Sequence, residues 1–270
     1  MKKPNNEVFN KKLFINHLII TFAIALISWG LCIILGLNGI TKDNHVWINI
    51  PYILGAWSTT IASYIALKKD GEITGFKDWL KHVFDFKHSV SSYLAAIAVA
   101  VLQAFLMCLI GGYEKAAPLY MLILALPIML FGGGLEEAGW RYITFPELDK
   151  RFGFVISAAI TSIIWALWHL PLFFIPGVNQ YGKNFGVFCI MIMGISFGLA
   201  AIRKVSGSVW LCVLCHMVVN AIPEVFRYNY FGNYLASTIT TVVMIVVSVI
   251  IVSAYTKRMK HGEKIDGHLG

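Results

Sequence analysis

Three groups of polar side chains interrupt apolar stretches of this sequence, each with a four-residue spacing that places side chains on one face of a helix. They are the group Glu136, Glu137 and Arg141, the pair Trp165 and His169, and the pair His216 and Asn220. A charged side chain at mid-membrane costs about 2.5–3.5 kcal/mol on insertion scales, so ionisable residues in such stretches are candidates for function. Carboxylates, imidazoles and an amide can supply a base and hydrogen-bond donors for hydrolysis or proton transfer.

The two adjacent carboxylates are expected to have different roles. Neighbouring helix residues diverge by about 100°, so Glu136 and Glu137 do not share a face, whereas Glu137 and Arg141 do. The arginine can neutralise Glu137 and leave Glu136 free to point into a cavity as a general base. The alternative is a structural ion pair beside an acid that reaches towards the cytoplasm.

The two histidines lie in later apolar stretches. His169 comes just before Pro171, which ends the regular helix, and His216 shares a helix face with Asn220. A lone histidine in a bundle is most often a hydrogen-bond donor between helices, so neither histidine is diagnostic alone. Because polar groups in hydrocarbon need one another, we expect the three groups to come together.

The composition indicates the fold that must position these groups. The 270-residue chain is 58% hydrophobic and 13% charged, against roughly 45–50% and about 25% in soluble domains. This excludes a soluble globular protein, and the scarcity of polar residues excludes disorder. We therefore predict an all-α fold, a polytopic membrane helix bundle that forms one domain over residues 1–270, with the motifs in about 119–226.

Eight stretches approach the roughly 20 apolar residues that a spanning helix needs. They are Leu13–Leu37, Ile50–Leu67, Ser89–Ile110, Leu119–Phe145, Phe154–Ile175, Phe185–Ile202, Val209–Phe226 and Tyr234–Tyr255. The segment 75–88 has aromatic and aliphatic residues at helical spacing with lysines between them, which predicts an amphipathic helix on the cytoplasmic surface. The alternative for that segment is a solvated loop.

The positive charges follow the predicted topology. Of 22 Lys and Arg residues, seventeen lie on one side of the spans, four lie on the other, and Arg141 lies within the fourth span. Because cytoplasmic loops carry the excess of Lys and Arg, we predict cytoplasmic termini in the cell membrane. The net charge of +8 is then mostly a topology signal, and nucleic acid is not expected as a partner.

The three motifs, in this order on separate spans, resemble those of the CPBP family. This is the CAAX protease and bacteriocin-processing group, also called Abi, which includes the type II CAAX prenyl endopeptidases. The resemblance rests on Glu136-Glu137-x-x-x-Arg141, Trp165-x-x-x-His169 and His216-x-x-x-Asn220. One departure is Trp165, where the family pattern usually has phenylalanine.

The resemblance implies an intramembrane endopeptidase that hydrolyses a peptide bond with activated water in a cavity open to the cytoplasm. Glu136 would be the catalytic carboxylate and His169 its partner in activating water. His216 and Asn220 would stabilise the oxyanion or complete the site, with Glu137 and Arg141 as the supporting pair. The expected partners are membrane lipids and a peptide or protein substrate at the cytoplasmic membrane face.

The sequence leaves a metal cofactor open. Glu136, His169 and His216 could form a zinc site with water as the fourth ligand. Members of the family are often called metalloproteases, yet a glutamate-dependent mechanism has also been argued. The sequence has no H-E-x-x-H motif, and Glu137 is expected to pair with arginine, so we prefer a metal-independent mechanism.

Two other functions are compatible with the sequence. A bacteriocin-immunity or membrane scaffold protein would use the same fold without turnover. A proton-coupled transporter would show inverted repeats with broken helices in matching halves, which the sequence does not show.

The depths of the motif residues in the membrane also pose a problem, because straight perpendicular helices would place Glu136, His169 and His216 at different levels. Tilt, a bend at the glycines 132–134, or an early start of the fifth span would be needed.

Overall fold

The computed structural model describes residues 8–229 and 231–266, with side chains as far as residue 261. Its helices are α1 Lys11–Leu37, α2 Asn49–Ala56, α3 Ser58–Asp70, α4 Phe76–Val83, α5 Val90–Gly111, α6 Met121–Phe131, α7 Glu137–Gly139, α8 Phe145–Phe152, α9 Phe154–His169, α10 Phe185–Ser206, α11 Val209–Val225 and α12 Tyr234–Asp266. Short 3₁₀ segments cover Val46–Ile48, Gly134–Glu136 and Leu170–Phe174, and a π-helical segment covers Trp140–Thr144. Two short strands, β1 Glu114–Lys115 and β2 Phe226–Arg227, pair antiparallel.

The predicted all-α polytopic bundle is confirmed. Among the described residues, six helices are long and apolar enough to cross a membrane, and the bent pair formed by Val46–Ala56 and Ser58–Asp70 gives a seventh span. The remaining predicted span corresponds to α11, an apolar helix of 17 residues, which is at the lower limit for crossing. The chain is therefore an integral, multi-pass membrane protein.

Local sequence signals define the ends of several helices. The side chains of Asn10, Ser89, Asn184 and Ser208 each accept a hydrogen bond from a backbone N–H in the first turn of α1, α5, α10 and α11. Short polar side chains at this position satisfy donors that the helix itself leaves unpaired. Gly71 and Gly207 end α3 and α10 in the left-handed conformation that glycine adopts without strain.

The helices pack around an aromatic core. α10 lies between α9 and α12, α11 lies between α5 and α6, and α1 packs along α2 and α3. Four tryptophans, Trp29, Trp140, Trp165 and Trp168, are almost fully buried in this core. The indole rings of Trp29 and Trp168 lie 4.8 Å apart, and Trp140 meets Trp168 edge to face at 5.8 Å. Large side chains thus fill the space between helices on either side of the polar groups.

The two ends of the bundle are chemically different. The basic end comprises the start of α1, the end of α12 and the connections 68–89, 150–153 and 203–208, which together carry most of the Lys and Arg residues. There the backbone N–H of Asn10 donates to Glu147 at 2.7 Å and its side-chain amide donates to Asp70 at 2.6 Å. The opposite end comprises the connections 38–48, 112–120, 175–184 and 226–233, and includes the two paired strands.

The predicted amphipathic helix is present as α4, although it ends at Val83 rather than continuing to residue 88. Trp79 and Val83 are buried, and the Trp79 indole N–H donates to the Ser63 hydroxyl at 3.0 Å. The backbone N–H of Thr74 donates to Asp78, which holds the pKa of that carboxyl below its usual value. α4 therefore packs against the basic end of the bundle.

Candidate active site

A helix break at three consecutive glycines brings the motifs together. α6 ends at Phe131, and Gly133 has φ +148°, a conformation that strongly favours glycine. A Cβ atom on Gly133 would collide with the Asn220 amide and lie 3.1 Å from His216 Nε2. Because Gly133 has no side chain, the backbone at the helix break can approach α11 at the site.

The carbonyl groups around the break find side-chain donors. Trp57 Nε1 donates to the Phe131 carbonyl at 3.0 Å, and the Thr60 hydroxyl donates to the Leu135 carbonyl at 2.8 Å. Asn220 Nδ2 donates to the Gly132 carbonyl at 3.3 Å. Because a membrane interior offers little water, such bonds are what allow a helix to break there. The helix therefore breaks at the glycines 132–134, which is one of the three arrangements that could bring the motif residues to one level.

Trp165 connects the first two motifs. Its indole N–H donates to Glu136 Oε2 at 2.8 Å, and its carbonyl accepts a hydrogen bond from His169 Nδ1, also at 2.8 Å. Since a carbonyl can only accept, His169 carries its proton on Nδ1 and leaves the Nε2 lone pair free when neutral. The Glu136 carboxylate keeps its second oxygen, Oε1, for another partner.

The third motif is held by Glu137. His216 Nδ1 donates to Glu137 Oε1 at 2.8 Å, so the His216 Nε2 atom points away from this bond. Glu137 also pairs with Arg141, whose Nη1 lies 3.2 Å from Glu137 Oε2, and both side chains are completely buried. Arg141 Nη2 donates to the Ser196 hydroxyl at 2.9 Å, and the guanidinium lies 4.8 Å from the centre of the Trp165 ring. Glu137 and Arg141 therefore fix the motifs relative to one another.

The remaining motif side chains face a cavity of about 350 Å³. Its lining includes Glu136, Trp165, His169, His216 and Asn220, whereas Glu137 and Arg141 lie behind the wall. The structure thus places a carboxylate, two imidazoles and an amide around one space large enough for a peptide segment. This is the constellation in which water can be activated and a developing oxyanion bound.

The residues proposed as metal ligands do not form a ready metal site. Among the described residues, no three His, Cys, Asp or Glu side chains are grouped as a metal ion requires, and this includes Glu136, His169 and His216. The Nε2 atoms of the two histidines are each oriented by a bond at Nδ1, an arrangement that serves proton acceptance as well as metal ligation.

Three features that position the site do not follow from the spacing of the motifs. The spacing places Trp165 one turn before His169, but it does not predict that the N–H and C=O groups of Trp165 bond to Glu136 and His169. Gly133 supplies the left-handed turn, and Ser196 binds the buried arginine. The spacing of Trp165 one turn before His169 could have predicted the contact between these two residues. The hydrogen bond between Ser196 and Arg141 joins residues 55 positions apart, so no local sequence pattern predicts it.

The fold and the site define a class: a polytopic helical membrane protein with an acid, two histidines and an asparagine around a buried cavity. Residues 117–222 match the family model described as Type II CAAX prenyl endopeptidase Rce1-like. The chain is also 23% identical over 242 residues to CAAX prenyl protease 2 of Methanococcus maripaludis, an alignment that covers 80% of this chain and 84% of that protein. These matches confirm the resemblance to the CPBP family of proteases, and all three motifs lie inside the matched segment.

Proposed function

We propose that this protein is an intramembrane endopeptidase that hydrolyses a peptide bond with water activated by Glu136. The observation that carries the proposal is the pairing of Glu136 and His169 through Trp165 at the wall of one cavity. Two acceptors, Glu136 Oε1 and His169 Nε2, are thereby left to hold a single water. The family match and the similarity to a curated CAAX prenyl protease support protease activity.

The proposed reaction uses Glu136 to move one proton. Glu136 takes a proton from the bound water while His169 Nε2 orients it, and the water oxygen attacks the carbonyl carbon of the peptide bond. The carbon–nitrogen bond of the resulting tetrahedral intermediate then breaks. Glu136 returns the proton to the leaving nitrogen, so the products are a new carboxyl group and a new amine.

The oxyanion would be bound by the third motif. Asn220 donates one amide hydrogen to the Gly132 carbonyl and keeps a second hydrogen for a substrate oxygen. His216 donates from Nε2 when protonated, and the Glu137 carboxylate at 2.8 Å from Nδ1 balances the charge of that form. Because Arg141 already compensates Glu137, the additional positive charge of His216 is balanced by the negative charge of the oxyanion that it binds.

The proposed substrate class is suggested by the similar protein of Methanococcus maripaludis. The similar protein is named a CAAX prenyl protease, and we extend this substrate chemistry to the present chain as a proposal: a peptide held at the membrane surface. A prenyl group on the substrate is the specific form of that proposal. Membrane lipids are the other expected partner.

Quenched fluorescent peptides test both parts of the proposal. Purified protein in detergent would receive two peptides of the same CAAX-type sequence, one farnesylated at the cysteine and one unmodified. Wild-type protein is expected to cleave the farnesylated peptide, and Glu136→Gln is expected to lose cleavage while it remains folded. Glu72→Gln, a change at an exposed carboxylate of the basic end, is the matched control and keeps activity.

Each outcome of this experiment has a consequence. Equal cleavage of the two peptides would overturn the prenyl part and retain the endopeptidase. Full activity of Glu136→Gln would overturn the mechanism. If wild-type protein cleaves neither these peptides nor a mixed peptide library, and cellular protection from a bacteriocin survives loss of Glu136 and His169, the chain is an immunity or scaffold protein without turnover.

The metal-independent form of the mechanism has its own test. Treatment with 1,10-phenanthroline is expected to leave the cleavage rate unchanged, and metal analysis of the purified protein is expected to find less than one zinc per chain. Loss of cleavage with the chelator, restored by zinc, would contradict the metal-independent mechanism.

A further inference from the structure

We infer that the peptide substrate reaches the cavity from the non-cytoplasmic face of the membrane, opposite the basic end of the bundle. The inference rests on the endopeptidase part of the proposed function and not on its prenyl part, because it concerns how a peptide reaches that site. It names a substrate class: peptide chains exposed on the outer side of the membrane. It differs from the cytoplasmic opening implied by the family resemblance.

The position of the cavity along the helices is the first observation. Its wall includes Asn179, Gln180, Tyr228 and Phe231, which belong to two connections of the opposite end. The helical part of the wall comes from segments adjoining that end, such as Tyr52 three residues after the start of α2. Among the described residues that line the cavity, none belongs to a connection of the basic end.

The basic end is closed by its own contacts. α4 buries Trp79 and Val83 there, and the His82 ring stacks on Tyr142 with the ring centres 5.9 Å apart. Lys204 bonds Asp149 at 2.6 Å, which ties the end of α10 to α8. A peptide that approached from this end would have to displace a packed helix and its ion pairs.

The charge distribution gives the orientation. The connections and termini at the basic end carry seventeen Lys and Arg residues and the opposite end carries four, so the basic end is the cytoplasmic one. Because the cavity is lined from the opposite end, cytoplasmic termini and a cytoplasmic cavity mouth cannot both hold in this fold. The excess of thirteen cations at the basic end is spread over five separate segments. We therefore base the orientation on this charge excess and not on the family resemblance.

The wall of the cavity is suited to an uncharged or basic chain. The Oε1 atoms of Gln103 and Gln180 are buried and accept no hydrogen bond from a described residue, so they are available to peptide N–H groups. Glu136 and Glu224 contribute carboxylates, while the described lining contains no Lys or Arg. These acceptors can therefore hold the backbone N–H groups of a peptide segment that lies in the cavity.

Cysteine labelling in intact bacterial cells tests the orientation without any need for turnover. Single cysteines would be introduced in a variant whose five native cysteines are replaced by alanine: Lys183→Cys at the opposite end, Glu224→Cys at the cavity and Lys69→Cys at the basic end. A membrane-impermeant sulfonated maleimide is expected to label the first two in intact cells and the third only after permeabilisation. Labelling of Lys69→Cys in intact cells, with protection of Lys183→Cys, would overturn the inference.

A second measurement asks whether the labelled mouth is the path of the substrate. Purified Glu224→Cys protein is expected to lose at least tenfold in cleavage rate after modification with a bulky maleimide, whereas modified Lys69→Cys is expected to keep its rate. An unchanged rate for modified Glu224→Cys, or a loss confined to modified Lys69→Cys, would refute access from this face. Failure of the proposed function is a different result, because it appears as full activity of Glu136→Gln whatever the labelling pattern.

Discussion

At the scale of single residues, the two adjacent glutamates of the site have different roles. Glu136 faces the cavity and accepts one hydrogen bond from Trp165, whereas Glu137 is fully buried between Arg141 and His216. Their different orientations follow from the roughly 100° between neighbouring helix positions. One carboxylate is therefore available for chemistry, and the other holds the structure in place.

Because the two glutamates have different roles, replacing each of them with glutamine is expected to have different effects on stability. Glu137→Gln leaves Arg141 buried without its counter-charge, which costs about 3–5 kcal/mol of stability, and thermal unfolding in detergent is expected at a clearly lower temperature. Glu136→Gln removes no buried ion pair and is expected to keep the wild-type midpoint. Equal unfolding temperatures for the two variants would contradict the structural role of Glu137.

Trp165 is predicted to act as a positioning residue. Trp165→Phe keeps an aromatic ring but removes the N–H that bonds Glu136 at 2.8 Å. Hydrogen bonds to charged groups contribute about 1.5–3 kcal/mol, so kcat is expected to fall roughly 10- to 100-fold with KM little changed. A rise in KM at constant kcat would show instead that the indole only contacts substrate.

At the scale of elements, the breaks in the helices matter more than their lengths. Hydropathy and charge predicted the apolar segments well, because composition decides which segments enter a membrane. Hydropathy and charge do not show where a helix bends or breaks. The 45° bend at Trp57 and the non-α turns between Gly132 and Thr144 were therefore not predicted in detail. A bend at the glycines was one of three options, and α6 does end there, at Phe131.

The turn at Gly133 gives a prediction at this scale. Gly133→Ala would strain a backbone at φ +148° and push a methyl group against Asn220, at a cost of about 1–3 kcal/mol for the backbone alone. Cleavage is expected to fall at least tenfold because α6 and α11 separate at the site. Gly30→Ala, where a Cβ meets nothing within 4 Å, is the matched control; equal activity of the two variants would show that the turn does not position the motifs.

At the scale of the whole molecule, the described part of the bundle has a polar cavity and two unlike ends. The motif residues were predictable from the sequence because charged groups stand out against apolar spans, as Glu136 and Arg141 do. The closed basic end was not, since it depends on contacts such as that of Asn10 with Glu147 across 137 positions. The relation between the cavity and the charge asymmetry therefore required the folded chain.

The central claim, that Glu136 activates water for peptide hydrolysis, is tested most directly by single-turnover cleavage rates of wild type, Glu136→Asp and Glu136→Gln. General-base catalysis contributes roughly 10²–10⁴-fold. The Gln variant is therefore expected to lose at least 100-fold, while the Asp variant, with its carboxylate one methylene further away, keeps a measurable part of the rate. A Gln variant that cleaves within tenfold of wild type, with both proteins equally folded, would contradict the account.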